Sequence, residues 1–154
     1  MVNIAKVFSI FVVVFASAIT NASGLTEEAV KKLIAKVDNA AVTLNADAVA
    51  DALSSNVIII MNIKSQGQTH VMKPTKKDYI LMLKQGWAAY KNYTYTKSNV
   101  KIRMLANKAI VTSNVSESMT VQGQRMSGES REEVTVELVN GKPLITKVVG
   151  YTSM

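Results

Sequence analysis

Residues 127–151 read SGESREEVTVELVNGKPLITKVVGY, and their pattern is the clearest indication of the architecture. Apolar and polar side chains alternate over residues 127–139, which is typical of a half-buried strand. Asn140-Gly141 follows, a pair that favours a two-residue hairpin turn, and residues 144–151 predict the return strand. Because a two-residue turn joins antiparallel neighbours, this stretch predicts an antiparallel sheet.

The same two-residue period extends back to Asn92. Residues 96–105 and 109–121 predict two more strands, with polar turns after each at residues 106–108 and 122–124. Together with the hairpin, these strands make a predicted four-stranded meander that closes the chain.

Helical patterns dominate the first half of the chain. A threonine cap and two acids open the first helix, which apolar residues at helical spacing carry to about Leu44. Asn45 is the predicted cap of a second, short helix over residues 46–53. Thr75 opens a third helix, which we expect to run to about Lys91.

A short hairpin separates the second helix from the third. Residues 57–61 form an unbroken apolar, β-branched run, which predicts a buried strand, and residues 69–72 predict its return strand. Strands that are neighbours in sequence and pair with each other need no crossover helix between them. The sequence therefore predicts an α+β domain with an antiparallel sheet.

Three stretches resemble the nuclear transport factor 2-like superfamily, which includes ketosteroid-isomerase-like and polyketide-cyclase-like proteins. They are residues 44–53, 77–87 and 131–145, which are similar to the family's second helix, third helix and closing hairpin. The resemblance covers residues 25–152 as one domain. It implies a cone in which a curved antiparallel sheet wraps around three N-terminal helices, with a pocket at the open end and often a homodimeric state.

The resemblance also bears on isomerase chemistry. It places the isomerase's oxyanion tyrosine at Val37, its aspartate base at Met61, and its second, protonated acid near Val134. Neither valine nor methionine transfers a proton, so ketosteroid isomerisation is not expected. A lyase, isomerase or cyclase that uses other acids stays open.

Two carboxylates are candidates for the pocket. Alternation puts Glu117 with Val115 and Met119 on one face of its strand, and Glu132 with Val134 on one face of the next strand. If these faces point inward, burial raises the carboxyl pKa values, and either group can act as a general acid or base. The alternative is that strand twist or an arginine at the rim turns them outward.

Aromatic and methionine side chains suggest an apolar ligand. Trp87 and Tyr90 lie on the predicted third helix, and Met61 and Met104 lie on strands expected to face it. Such side chains suit a flexible apolar pocket, although they also fill ordinary cores. The predicted ligand-binding set is Val37, Met61, Trp87, Tyr90, Met104, Val115, Glu117, Met119, Glu132 and Val134.

Composition excludes several kinds of site. The chain has no Cys and one His, which rules out disulfides, zinc-thiolate sites and thiol nucleophiles, and we predict no metal and no cofactor. Histidine is the side chain best suited to exchange protons near neutral pH, so His70 joins Glu117 and Glu132 as a catalytic candidate. The alternative is that His70 is an exposed residue of an edge strand.

Positive charge is concentrated in the middle of the chain. The net charge is +7, and residues 52–116 hold ten Lys or Arg and one acid, Asp78. Lysines such as Lys97, interleaved with Tyr93 and Tyr95, can bind single-stranded nucleic acid. We predict no nucleic-acid partner, because an exported protein seldom meets one, and expect a solvated flank or an anionic surface instead.

The first residues predict export from the cytosol. Lys6 precedes an uncharged apolar run at residues 7–19, and small residues follow, which is the order of a secretory signal peptide over residues 1–22. We expect cleavage between Ala18 and Gly24, a secreted or periplasmic product, and no stable membrane anchor, because the run is shorter than the roughly 20 residues that span a bilayer.

These patterns together predict an exported cone-shaped domain that binds a small, largely apolar molecule and forms a homodimer. Two alternatives remain open. One is a lyase, isomerase or cyclase that uses pocket carboxylates, and the other is an oligomerisation module without catalysis.

Overall fold

The computed structural model describes residues 24–153, in which three helices pack against a six-stranded sheet. The predicted signal peptide at residues 1–22 lies outside the described residues. The predicted α+β class is confirmed. The elements are α1 Glu27–Val42, α2 Ala46–Ala52, β1 Leu53–Ser65, β2 Gln68–Met72, α3 Lys76–Ala89, β3 Lys91–Met104, β4 Lys108–Val121, β5 Gln124–Val139 and β6 Lys142–Ser153.

Each helix begins where its cap predicts. The side chains of Thr26, Asn45 and Thr75 each accept a hydrogen bond from the backbone N–H three residues later. The first helix ends at Val42, two residues before the predicted end, because Leu44 adopts a left-handed conformation with φ of 54°. Within the described residues, no helix has the length and hydropathy needed to cross a membrane.

Two-residue turns close three of the hairpins. The φ angles are 50° and 79° at Gln66-Gly67, 50° and 82° at Gln122-Gly123, and 51° and 75° at Asn140-Gly141. Two consecutive positive φ values give the turn twist that matches the twist of the flanking strands. The predicted turn at Asn140-Gly141 is therefore confirmed.

The strand order is β2-β1-β6-β5-β4-β3. All neighbours are antiparallel except β1 and β6, which run parallel from the pair Leu53–Ile145 to the pair Lys64–Ser153. The predicted antiparallel pairing holds at every other junction of the sheet, and the parallel pair of β1 and β6 is the exception. Alternation within a strand identifies its faces, but it does not identify a neighbour that lies far away in sequence.

Strand β1 is longer and more exposed than the sequence predicts. It spans Leu53–Ser65, and Ile58 is 56% exposed while Val57 and Ile59 are 8% and 2% exposed. The core covers only one face of this part of β1. An unbroken apolar run therefore does not mean that both faces of a strand are buried.

The tightest packing lies between α1, α2 and the sheet. Val30, Ile59 and Val136 are the largest side chains that are fully buried among the described residues. Helix α3 contributes no fully buried residue, and its apolar side, including Leu83 and Trp87, packs only partly against this core. The third helix thus covers the interior without filling it.

Candidate functional site

A cavity of about 350 Å³ lies between the helices and the sheet. Its wall takes residues from all three helices and from every strand except β2. It opens partly to solvent and is more enclosed than the shallow grooves found elsewhere on the described surface. Its volume lies within the range of small-molecule sites.

Most of the predicted ligand-binding residues meet at this wall. The eight that do are Val37, Met61, Trp87, Tyr90, Val115, Glu117, Glu132 and Val134. Met104 and Met119 do not line the cavity, because Met104 packs against the hydrophobic core and Met119 is buried elsewhere along β4. His70 is exposed on β2 and does not join the two glutamates, since β2 forms the edge of the sheet.

The two glutamates reach the wall through the alternation of β4 and β5. Val111, Ser113 and Val115 are buried on the inner face of β4, and Glu117 continues that face. The register pairs Ser113 with Glu132 on β5, which places Glu132 on the same inner face.

Tyr95 and Lys97 also line the cavity, although the sequence analysis assigned them to an exposed basic tract. The register of β3 against β4 shifts between Ser98 and Lys101, and Asn99 there has φ of 51°. This bulge interrupts the two-residue period along β3. An asparagine in mid-strand is the one sequence signal of the bulge, because Asn tolerates left-handed backbone better than most residues.

Lys97 and Asp38 form an ion pair that joins β3 to α1. The Lys97 Nζ lies 2.5 Å from Asp38 Oδ1, and the two side chains are 9% and 30% exposed. The Tyr95 hydroxyl donates to the same Oδ1 over 3.1 Å. Asp38 could not be predicted from the sequence either, since nothing in the pattern of α1 distinguishes it from a surface acid.

Glu117 has a hydrogen-bond partner in Tyr93. The Tyr93 hydroxyl donates to Glu117 Oε1. The Tyr90 ring stacks on the Tyr93 ring, with 5.6 Å between the ring centroids. Burial, followed by the hydrogen bond to Glu117, raises the pKa of Tyr93, so this phenol stays protonated and keeps donating to the carboxylate.

Glu132 is the third acid near the cavity. No hydrogen bond or ion pair joins its carboxyl to another side chain within residues 24–153. The side chain is half-buried, and it lines the cavity. Burial raises the pKa of Glu132, the Lys97 ammonium opposes this, and Glu117 and Asp38 raise the pKa further.

The nearby phenols respond to the same negative charge. Burial and then Glu132 raise the pKa of Tyr79 and of Tyr95. Both hydroxyls therefore stay protonated. We call the polar part of the site, made of Asp38, Glu117, Glu132 and Lys97, the acidic pole.

The chemistry of this arrangement is that of carboxyl groups beside an apolar wall. Within the part of the chain that the structure describes, no group of three or more His, Asp or Glu side chains could hold a metal ion. The acidic pole can accept hydrogen bonds from a bound molecule, and a carboxyl group with a raised pKa can also exchange a proton with it.

Solved structures share this architecture. An NTF2-like protein from Cytophaga hutchinsonii superposes with a TM-score of 0.63 over 82% of this chain and 98% of that chain, at 14% identity. An NTF2-like protein of unknown function from Pseudomonas putida superposes with a TM-score of 0.64 over 81% of this chain and 84% of that chain, at 10% identity. The chain has the NTF2-like fold. A hexachlorocyclohexane dehydrochlorinase, LinA type 2, shares it with a TM-score of 0.61 over 81% and 83%, at 14% identity.

The NTF2-like resemblance predicted from the sequence is thus confirmed at the level of the fold. The sequence matches no protein-family model and no curated protein. At such low identities, the roles of individual residues cannot be transferred from one NTF2-like domain to another.

Proposed function

We propose that this NTF2-like domain binds one small, largely apolar molecule in its cavity. The observation that carries the proposal is the cavity itself, about 350 Å³ with a lining in which apolar side chains from helices and sheet are the majority. That space equals roughly twelve water molecules at their share of the liquid volume. Water gains little from an apolar wall, so replacing it by an apolar ligand is favourable.

Titration with N-phenyl-1-naphthylamine, a neutral apolar fluorophore, tests this proposal. We expect saturable fluorescence enhancement with the purified domain. Val37 lines the cavity on α1, and Val42 on the same helix is 55% exposed. Val37→Phe should fill part of the cavity and weaken probe binding about tenfold, whereas Val42→Phe should leave it unchanged. Equal effects of the two substitutions would place the bound probe outside the cavity.

We also propose that the chain is exported, to the periplasm or out of the cell, without a stable membrane anchor. The support is the signal-peptide pattern of residues 1–22. N-terminal sequencing of the exported protein should find a first residue after Ala18 and no later than Gly24. Material that begins at Met1 would contradict the proposal.

We also propose that the chain forms a homodimer and that it has no nucleic-acid partner. Exposed apolar side chains on the sheet support it, among them Ile58, Val71 and Tyr151, which are 56%, 54% and 52% exposed. Light scattering after size-exclusion chromatography should give twice the mass of the mature chain. A monomer at micromolar concentration would remove the dimer and leave the binding proposal intact.

A second candidate function is acid–base catalysis of the lyase, isomerase or cyclase kind. The observation that favours it is Glu132, a half-buried carboxyl group with a raised pKa that lines the cavity. Mass spectrometry of a molecule co-purified with the domain, before and after incubation, distinguishes the two functions. An unchanged mass supports binding alone, and conversion that Glu132→Gln abolishes supports catalysis. An empty cavity that also rejects the fluorophore would leave only an interaction module.

A further inference from the structure

Charge is unbalanced at the acidic pole. Asp38 is paired with Lys97 at 2.5 Å, and the Lys97 side chain is 9% exposed. Among residues 24–153, the one side chain that donates a hydrogen bond to Glu117 is Tyr93, through its neutral hydroxyl. Three carboxyl groups therefore share one ammonium group, and the pole carries excess negative potential when they are ionised.

Glu132 is the group that this imbalance leaves without a partner within the described residues. A buried carboxylate is costly unless a counter-charge or hydrogen-bond donors replace the water that it has lost. Glu132 is half-buried and lines the cavity, so a bound molecule is what can supply that donor. A positively charged donor would offset more of the desolvation than a neutral one.

The wall beside the pole also suits a cation. Tyr79, Trp87 and Tyr90 all line the cavity, and aromatic faces attract organic cations through the negative potential of the ring. Aliphatic side chains make up much of the remaining wall, with Val37 and Ile145 among them. It suits an apolar body attached to the charged group.

We propose that the ligand of this cavity is a small apolar amine whose protonated nitrogen binds at the acidic pole, with Glu132 as its principal counter-charge. The inference rests on the proposed binding function and names its ligand class. A carboxylate ligand would meet like charge at the pole, and an alcohol would find a hydrogen-bond acceptor without ionic attraction.

Protons compete with such an amine. The charged and titratable groups around Glu132 come from α1, α3, β3 and β4, and they are Asp38, Tyr79, Tyr90, Tyr93, Tyr95, Lys97 and Glu117. The four phenols stay protonated because their pKa values are raised. Amine affinity should therefore fall as the pH is lowered and Glu132 takes up a proton, while the affinity for a neutral alcohol should not.

Three rigid probes of one shape test the proposal: 1-adamantylamine, 1-adamantanol and 1-adamantanecarboxylate. Their binding to the mature protein at pH 7 is measured by isothermal titration calorimetry and by the fluorescence of Trp87, the one tryptophan of the chain, which lines the cavity. We expect the amine to bind about tenfold more tightly than the alcohol, because a hydrogen bond to a charged group exceeds a neutral one by about 1.4 kcal/mol. The carboxylate should bind most weakly.

Glu132→Gln removes the charge and keeps the shape. It should bring the amine and the alcohol to nearly equal affinity without weakening alcohol binding. Glu129→Gln is the matched control, because Glu129 is exposed on the same strand, and it should keep the tenfold preference.

The outcomes separate the ligand class from the binding function. Alcohol binding as tight as amine binding in the wild-type protein would overturn the amine proposal and leave cavity binding in place, whether or not the variant folds. Failure of all three adamantane probes and of N-phenyl-1-naphthylamine would overturn both. A preference for the amine that survives Glu132→Gln would also overturn the proposal as stated, since Glu132 would not be the counter-charge.

Discussion

Helices α1 and α3 have similar first turns but different roles in the fold. Both have a threonine cap and acid in the first turn, and both present an apolar side to the interior. Yet α1 buries Val30, Leu33, Ile34, Ala40 and Ala41, whereas α3 buries no residue completely. The first helix is part of the packed core, and the third lies over a cavity.

The difference comes from what faces each helix. The inner side of α1 belongs to a core that contains small aliphatic side chains such as Ala109 and Val136, which fill space closely. The inner side of α3 carries Tyr79 and Trp87, bulky groups that stand at the cavity wall. Hydrophobicity alone does not distinguish the two helices, because a wall and a core both need apolar atoms.

Truncation of one large side chain in each region should show the largest contrast. Ile59 is 2% exposed in the core, and Leu83 lies on α3 at the cavity wall. Ile59→Ala should lower the free energy of unfolding by about 4 kcal/mol, because it opens a void in a packed region. Leu83→Ala should lower it by about 1 kcal/mol, because it only enlarges an existing space. Urea denaturation measures both, and equal losses would contradict the contrast between core and cavity.

Two ion pairs offer the next contrast. Asp38 pairs with the nearly buried Lys97, and Asp47 pairs at 2.7 Å with Lys84 between side chains that are 79% and 51% exposed. Asp38→Ala should cost about 2 kcal/mol of unfolding free energy, because it leaves Lys97 without its counter-charge in a poorly solvated site. Asp47→Ala should cost about 0.3 kcal/mol.

The same urea experiment compares these two variants in low and high salt. The loss caused by Asp38→Ala should persist when salt is added, since the pair is shielded from solvent ions. A loss as small as that of Asp47→Ala would mean that solvent reaches Lys97, and the acidic pole would then be an open surface.

Stability should also depend on pH through Glu132. Burial raises the pKa of Glu132 in the folded protein above its ordinary value of 4.5. As the pH rises from 4.5, the unfolded chain loses this proton first, so wild-type stability falls until the pH passes the raised pKa of the folded state.

Glu132→Gln should therefore gain stability over wild type across that window, reaching on the order of 1 kcal/mol at neutral pH. Urea denaturation between pH 4 and pH 8 measures the gain, with Glu129→Gln expected to show no such trend. A difference that shrinks with rising pH would mean that a partner stabilises the ionised carboxylate of Glu132.

Structural features that depend on neighbouring residues could be predicted from the sequence. The caps at Asn45 and Thr75 and the turn at Asn140-Gly141 each depend on a few adjacent residues, and each lies where predicted. The inward positions of Glu117 and Glu132 follow from the period of two along regular strands. Local chemistry is sufficient for these features because no distant contact competes with it.

Structural features that depend on contacts between distant segments could not be predicted from the sequence. The parallel pairing of β1 with β6 joins segments about 90 residues apart. The bulge at Asn99 interrupts the period of β3, so Lys97 lies inside although its neighbours in sequence indicate a basic surface. The cavity depends on space left unfilled when all elements have packed, which no single segment of sequence specifies.

The smallest predicted contrast is between the two threonine caps. The Thr75 hydroxyl accepts from the Asp78 N–H over 3.2 Å and donates to Asp78 Oδ2 over 2.6 Å, and Thr26 accepts from the Ala29 N–H over 3.1 Å. Either substitution to alanine removes a cap worth about 1 kcal/mol. In α1 that loss should appear fully in the global free energy of unfolding, because the helix unfolds together with the core that it packs against.

In α3 about half of that loss should appear globally, since few buried contacts tie this helix to the core and it can open locally. Hydrogen exchange measures the difference: Thr75→Ala should speed exchange of the α3 amides while leaving the amides of β4 and β5 nearly unchanged, and Thr26→Ala should speed both sets together. Uniform acceleration by Thr75→Ala would mean that α3 unfolds only with the core. The cavity would then be a rigid chamber, and a ligand would have to enter without movement of the third helix.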